Sequence, residues 1–169
     1  MADGFEAVVV GAGVIGCAIA LGLTQQGRQV LVVDKGPAAG YGSTSSSMAV
    51  IRTYYSTLPS TKLAWESLQV WRDWAGFLDA PDGTDLAEYR ETGSLFLLAE
   101  DVPLPDDLLV HQDALGLRYE VWDEATVDAK MPWLDRAGYA PPRRHDDPDF
   151  GTPSGRRITR ALFFPDSGY

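Results

Sequence analysis

The sequence has 169 residues, of which 45% are hydrophobic and 22% charged, as in an ordinary globular protein with its own core. Its 24 acidic and 14 basic residues give a net charge of −10. This charge argues against nucleic acid and anionic membrane surfaces as partners, because both attract clustered Lys and Arg. Cys17 is the single cysteine, so no internal disulfide forms, which fits a reducing, cytoplasmic setting.

The N-terminal segment predicts a strand, a glycine turn, a helix and a second strand. The uncharged run from Ala7 to Leu23 holds four glycines and lacks the aromatic and basic flanks of a membrane span, so we reject a membrane location. The segment AVVV, residues 7–10, predicts a strand buried on both faces of a parallel sheet. Residues 14–27 predict a helix and residues 28–36 a second buried strand, which completes a βαβ unit.

The turn between the first strand and the helix has the spacing Gly11-x-Gly13-x-x-Gly16. In this position each glycine has a physical role. Gly11 allows the tight turn, Gly13 leaves room for a pyrophosphate, and Gly16 lets the helix pack closely on the sheet. The first helical residues, Val14 and Ile15, belong to the same phosphate site, because a helix N-terminus offers free N–H groups and a positive dipole end.

An acidic residue follows at the end of the second strand. Asp34 stands at the interval after the glycines that a dinucleotide site requires, and its carboxylate can accept from both ribose hydroxyls. It would also repel a 2′-phosphate, although the adjacent Lys35 weakens that repulsion. The motif therefore predicts an adenine dinucleotide and leaves NAD and FAD as alternatives, because both contain ADP.

The polar segment GSTSSSMAVIR, residues 42–52, runs directly into apolar residues and an arginine, which a plain linker would not need. Together with VVVGAGVIGCAIALGL, residues 8–23, and VLVVDKG, residues 30–36, it resembles the N-terminus of the FAD-dependent amine and amino-acid oxidoreductases. This D-amino-acid oxidase-like group includes sarcosine oxidase and dehydrogenase, dimethylglycine dehydrogenase and glycine oxidase. A weaker resemblance continues in YRETGSLFLLAE, VDAKMPWLD and FFPDSGY.

The resemblance implies roles for individual residues. The three glycines would hold the FAD pyrophosphate and Asp34 the adenosine ribose. Gly42, Ser43 and Thr44 would lie along the pyrophosphate and the ribityl chain, where small hydroxyls and N–H groups can donate. Arg52 would receive the substrate carboxylate, a task that suits the planar guanidinium because it can form two parallel hydrogen bonds.

Two departures from the family pattern affect the expected chemistry. Residues 45–47 are serines where some relatives carry a histidine that attaches the flavin, so we expect noncovalent FAD. Ala49 stands where sarcosine oxidase-like relatives carry a second basic residue. The choice between oxidase and dehydrogenase therefore stays open.

The remaining chain predicts alternating helices and strands. Residues 61–78 predict an amphipathic helix, 89–100 a strand broken at Gly93, 104–117 a short helix and 118–123 a strand. The segment 124–135 begins as a helix that stops before Pro132. Residues 140–157 are rich in Pro, Gly and charge and predict a loop. We expect no metal site, because His145 in that loop has no neighbouring His or Cys.

The sequence thus predicts an α/β fold, with residues 1–88 as the N-terminal part of a Rossmann-type FAD-binding domain and 89–169 as the incomplete start of a mixed α+β substrate domain. Family members are more than twice as long, so we expect a truncated chain. The predicted activity is oxidation of the C–N bond of a small amine or N-methyl amino acid by hydride transfer to flavin. The alternatives are an NAD-dependent dehydrogenase, or a non-catalytic fragment that a complementing chain completes. For these residues alone we expect poor solubility or obligate association, because apolar strand faces stay uncovered.

Overall fold

The computed structural model describes residues 4–169. Its internal contacts divide the chain into two units, the first ending at Ala49 and the second running from Val50 to Tyr169. Each unit has a sheet of its own, with two strands in the first and three in the second. Within the described residues, no helix is long and apolar enough to cross a membrane.

The first unit is the predicted βαβ unit. It consists of β1 (Ala7–Val10), α1 (Val14–Gln25) and β2 (Val30–Val33). The strands are parallel, in a register that pairs Val8 with Leu31 and Val10 with Val33. Helix α1 stops where Gly27 takes a φ of 77°, a conformation that glycine adopts without strain.

The prediction that these strands are buried on both faces is wrong for the described chain. Val9 points towards α1, because its Cγ1 lies 3.4 Å from the position that a Cβ on Gly16 would take. Its neighbours Val8 and Val10 point to the opposite face and are 58% and 84% exposed. The physical reason is that α1 covers one face of this two-stranded sheet, and no described element of the first unit covers the other.

The second unit begins with a helical segment that differs from the prediction. Helix α2 (Leu58–Arg72) starts three residues before the predicted 61–78 helix, because the Thr57 side chain accepts the N–H of Ser60 and caps the first turn. The predicted single helix is broken at Asp73, whose φ of −124° and ψ of 53° are not helical. A short helix α3 (Trp74–Leu78) follows the break.

A three-stranded antiparallel sheet forms the centre of the second unit, in the order β3-β5-β4. The outer strands β3 (Ser94–Ala99) and β4 (Glu120–Trp122) were predicted from the sequence, and so were α4 (Asp106–Ala114) and α5 (Glu124–Lys130). The central strand β5 (Ile158–Phe164) was not. The fully or nearly fully buried side chains around this sheet are Leu98, Trp122, Val127, Ala161, Leu162 and Phe164.

The connections agree in part with the predictions. Residues 140–157 contain no helix or strand, as predicted. Gly93 precedes β3 with a φ of 75°, and a Cβ there would lie 2.3 Å from the Phe163 ring, so this position requires glycine. The predicted division into domains at residues 88 and 89 stays a prediction.

Candidate functional site

The glycine turn of the first unit has the geometry that a phosphate-binding loop needs. Gly11 has a φ of 106°, which side chains rarely allow. A Cβ on Gly16 would lie 1.8 Å from the carbonyl oxygen of Gly11, so only glycine lets α1 start this close to the turn. A Cβ on Gly13 would lie 3.1 Å from the Thr44 hydroxyl and would narrow the space above the loop.

The N-terminus of α1 is open towards this space. Gly13 is the N-cap and has no side chain to satisfy the free N–H groups of the first turn. The N–H of Val14 instead donates to the Thr44 hydroxyl at 3.0 Å. That hydroxyl keeps its own proton available for a second hydrogen bond, so Thr44 can donate to a phosphate oxygen.

Asp34 is fixed next to the glycine turn by two short hydrogen bonds. Its Oδ2 accepts the N–H of Ala12 and its Oδ1 accepts the N–H of Gly36, both at 2.6 Å. The hydrogen bond from Ala12, followed by that from Gly36, lowers the pKa of Asp34 below its ordinary value of 3.8. The ionised carboxylate retains further lone pairs, so it can also accept from ribose hydroxyls.

The segment after β2 is ordered against the glycine turn and is not a free linker. The N–H of Gly40 donates to the Ala12 carbonyl at 2.7 Å, and the N–H of Ser45 donates back to Gly40 at 3.1 Å. A cleft of about 540 Å³ lies between the turn and this segment. Its lining comprises Val10, Gly11, Gly13, Asp34, Lys35, Gly40, Tyr41, Gly42, Ser43 and Thr44.

Most of the predicted cofactor residues therefore meet at one cleft. The exceptions are Val14, Ile15 and Gly16, which do not line the cleft. Val14 contributes its backbone N–H, Gly16 acts through packing on Gly11, and the Ile15 side chain is 74% exposed. Sequence reasoning missed Gly40 and Tyr41, although the glycine after Ala39 was a visible turn signal.

In the second unit, the backbone on either side of Arg52 is held in place. Ile51 and Gly168 exchange two backbone hydrogen bonds of 2.9 and 2.8 Å. On the other side, the carbonyl of the buried Thr53 accepts from Gln112 Nε2 at 3.0 Å. Arg52 is thus presented from a fixed backbone even though the residue itself is exposed.

Arg52 lines a cavity of about 410 Å³, which we call the Arg52 cavity. Its guanidinium lies 4.8 Å from the ring centre of Tyr55 and 5.7 Å from that of Tyr54. A hydrogen bond with Tyr55 raises the pKa of Arg52 above its already high value, so the group stays cationic. Arg52 forms no ion pair with an acid among residues 4–169, which speaks against a purely structural surface pair.

An ion-pair cluster around a buried carboxylate in the second unit was not predicted from the sequence. The carboxylate of Asp166, 5% exposed, accepts from Arg72 Nη2 at 2.8 Å and from Arg118 Nε at 3.1 Å. Burial raises the pKa of Asp166, but the hydrogen bonds from Arg118 and Arg72 outweigh it and leave the pKa below 3.8. The cluster joins α2 to the turn after β5, and we assign it to stability.

Comparison with known proteins identifies the family. The family model described as FAD dependent oxidoreductase, or DAO, matches residues 6–169. The chain belongs to this family. Its cofactor is FAD, as predicted, and the match gives no support to the NAD-dependent alternative. No curated protein matches the chain.

Several solved structures share the fold. L-proline dehydrogenase from P. horikoshii superimposes with a TM-score of 0.72 at 21% identity, over 99% of this chain and 38% of its own. Glycine oxidase from Bacillus cereus superimposes with a TM-score of 0.68 at 20% identity, over 98% of this chain and 40% of its own. L-amino acid deaminase from Proteus vulgaris superimposes with a TM-score of 0.60 at 22% identity, over 99% of this chain and 35% of its own. The chain thus spans about two fifths of the length of these structures.

The residues of the first unit fit FAD. The space above Gly13, which a Cβ would narrow, suits a pyrophosphate, because N–H and hydroxyl donors lie beside it and the Lys35 cation lines the same cleft. The Asp34 carboxylate is an acceptor of the kind that a ribose needs.

Proposed function

We propose that this chain binds FAD noncovalently and takes part in oxidising the C–N bond of a small amine or an N-methyl amino acid. The observation that carries the substrate class is Arg52, a cation at a cavity without an acidic partner among the described residues. Glycine oxidase, L-proline dehydrogenase and L-amino acid deaminase, the solved proteins of similar fold, are all named for amino acids. Their shared substrate feature, a carboxylate, is what an unpaired guanidinium binds best.

The roles of the cofactor residues follow from their geometry. Gly11 and Gly13 would leave room for the pyrophosphate at the free N–H groups of the first turn of α1, and Thr44, held by the Val14 N–H, would donate to its oxygens. Asp34 would hold the adenosine ribose, and Gly42 and Ser43 would lie further along the cofactor. Val14, Ile15 and Gly16 would keep the start of α1 close to the phosphates, and Lys35 would add a positive charge at the cleft.

The role of Arg52 is to orient the substrate. A bidentate pair between its guanidinium and a carboxylate fixes the substrate's α-carbon and amine relative to the protein. Bound FAD supplies the chemistry, the acceptance of a hydride from that carbon. No described side chain needs to serve as a base, because a neutral amine can lose the hydride directly.

A visible absorption spectrum of the purified chain, with and without added FAD, tests cofactor binding. We expect a flavin spectrum that remains with the protein on gel filtration and moves to the supernatant after acid precipitation. A protein that stays colourless in excess FAD would refute a working FAD site in these residues. Flavin that stays in the precipitate would refute noncovalent binding.

The alternative of a non-catalytic fragment completed by another chain is favoured by the uncovered face of the first sheet, where Val8 and Val10 are exposed. If it holds, the chain alone aggregates or associates. A monodisperse monomer with one cooperative melting transition would contradict it.

A further inference from the structure

We propose that the Arg52 cavity takes an amino acid whose carboxylate pairs with Arg52 and whose side chain is apolar and larger than a methyl group. This inference rests on the proposed function, in which Arg52 anchors the carboxylate. It adds the class of side chain, which the family membership does not give.

The charge of the cavity selects the carboxylate. Its lining contains one cation, Arg52, and no acidic residue. A carboxylate is therefore attracted, whereas the second carboxylate of an acidic amino acid would find no further cation there. A basic side chain or an ammonium group would find no counter-ion, so the cavity also favours the neutral form of the substrate amine.

The shape and chemistry of the walls select the side chain. One face of α2 lines the cavity with residues spaced at helical intervals, namely Ser60, Leu63, Ala64, Ser67, Leu68 and Trp71. Val50 and Ile51 add apolar surface beside Arg52. The volume of about 410 Å³ lies in the range of small-molecule sites and is far larger than glycine requires. An apolar side chain gains by covering these walls, and a small or inorganic anion does not.

Binding of unreactive carboxylates to the full chain, saturated with FAD where it takes up FAD, tests the inference without catalysis. The probes are 4-methylpentanoate, acetate, and the uncharged 4-methylpentanamide, titrated by calorimetry and by tryptophan fluorescence, since Trp71 lines the cavity. We expect 4-methylpentanoate to bind at least about tenfold more tightly than acetate, because it buries several methyl and methylene groups. The amide should bind at least about tenfold more weakly than the matching acid.

Two variants report on the two halves of the site. Arg52→Leu should abolish the preference for the acid over the amide. Leu63→Asp places a carboxylate in the cavity wall, and the fold tolerates the change because Leu63 is 65% exposed. It should weaken the binding of 4-methylpentanoate at least about tenfold, because the two carboxylates repel each other. The controls are Arg144→Leu, on an exposed arginine in the 140–157 loop, and Val110→Asp, on a 61% exposed residue of α4. Neither control should change binding.

The outcomes separate this inference from the proposed function. If acetate and 4-methylpentanoate bind equally and both depend on Arg52, the carboxylate anchor stands and the apolar side chain is refuted. If neither ligand depends on Arg52, the carboxylate anchor and this inference both fail, whatever the flavin spectrum shows. A tighter 4-methylpentanoate complex that Leu63→Asp leaves unchanged would also refute the assignment to this cavity.

Discussion

The hydroxyl of Thr44 accepts the N–H of Val14, the first residue of α1, at 3.0 Å across an interval of 30 residues. One side chain from the segment after β2 therefore occupies the donor that a helix N-terminus would otherwise present to a phosphate. Because a hydroxyl can accept and donate at once, Thr44 can keep this hydrogen bond and still contact the cofactor.

Thr44→Val tests that double role. It removes the hydroxyl at nearly constant volume, and we expect FAD to dissociate with a Kd about tenfold higher, the effect of one lost hydrogen bond. Fluorescence quenching of added FAD measures the affinity. Thr24→Val, which removes an exposed hydroxyl bonded to the Leu21 carbonyl on α1, serves as the control. An unchanged Kd in Thr44→Val would limit Thr44 to capping the helix.

Two glycines of the same helix form a matched pair. Gly16→Ala places a Cβ 1.8 Å from the Gly11 carbonyl and forces the turn and α1 apart, so we expect loss of FAD uptake. A Cβ on Gly22 would have no atom within 4 Å, so Gly22→Ala should preserve FAD uptake. It should also stabilise α1 by up to about 1 kcal/mol, because alanine favours the helix over glycine. FAD titration and thermal melting distinguish the two. Equal FAD affinities in both variants would contradict the packing role of Gly16.

Asp34→Asn should weaken FAD binding and destabilise the first unit, because an amide has one acceptor oxygen where the N–H groups of Ala12 and Gly36 each bond to a separate oxygen. The pKa of Asp34 in the folded state is depressed below 3.8. Its contribution to stability is therefore fully present above pH 3.8 and is lost as the pH falls through the folded-state pKa. The difference in urea midpoint between wild type and Asp34→Asn should therefore shrink in acid. Asp82→Asn, on an exposed turn, is the control. A difference that does not vary with pH would contradict this account.

Asp166→Asn should lower the free energy of unfolding by about 2 kcal/mol, because it removes the buried carboxylate that Arg72 and Arg118 share and leaves them only the partly exposed Glu91. The pKa of Asp166 is also depressed, so its contribution is again present above 3.8 and is lost in stronger acid. Urea unfolding at neutral and acid pH measures both effects. The matched change Glu88→Gln, in an exposed pair with Arg90, should cost less than about 1 kcal/mol. Equal losses in the two variants would show that burial of Asp166 adds nothing.

The sequence by itself determined the first unit and most of its cleft. A strand, a turn with φ above zero, a helix and a second strand follow from local sterics and hydrophobic periodicity. The spacing of Gly11, Gly13, Gly16 and Asp34 therefore predicts that they lie together at this turn, and their cofactor roles stay a prediction. The boundaries of α4, β4 and α5 were predicted closely for the same reason. The helix break at Asp73 was missed because the apolar pattern continues across it.

Only the tertiary structure decided what depends on distant pairing. Strand β5 lies between β3 and β4 although it comes last in the chain. Asp166 meets Arg72 across 94 residues, and Gln112 reaches Thr53 across 59. The exposure of Val8 and Val10 likewise depends on which elements cover the sheet. Local periodicity marks a surface as apolar or charged, but the partner of that surface is set by the packing of the whole chain.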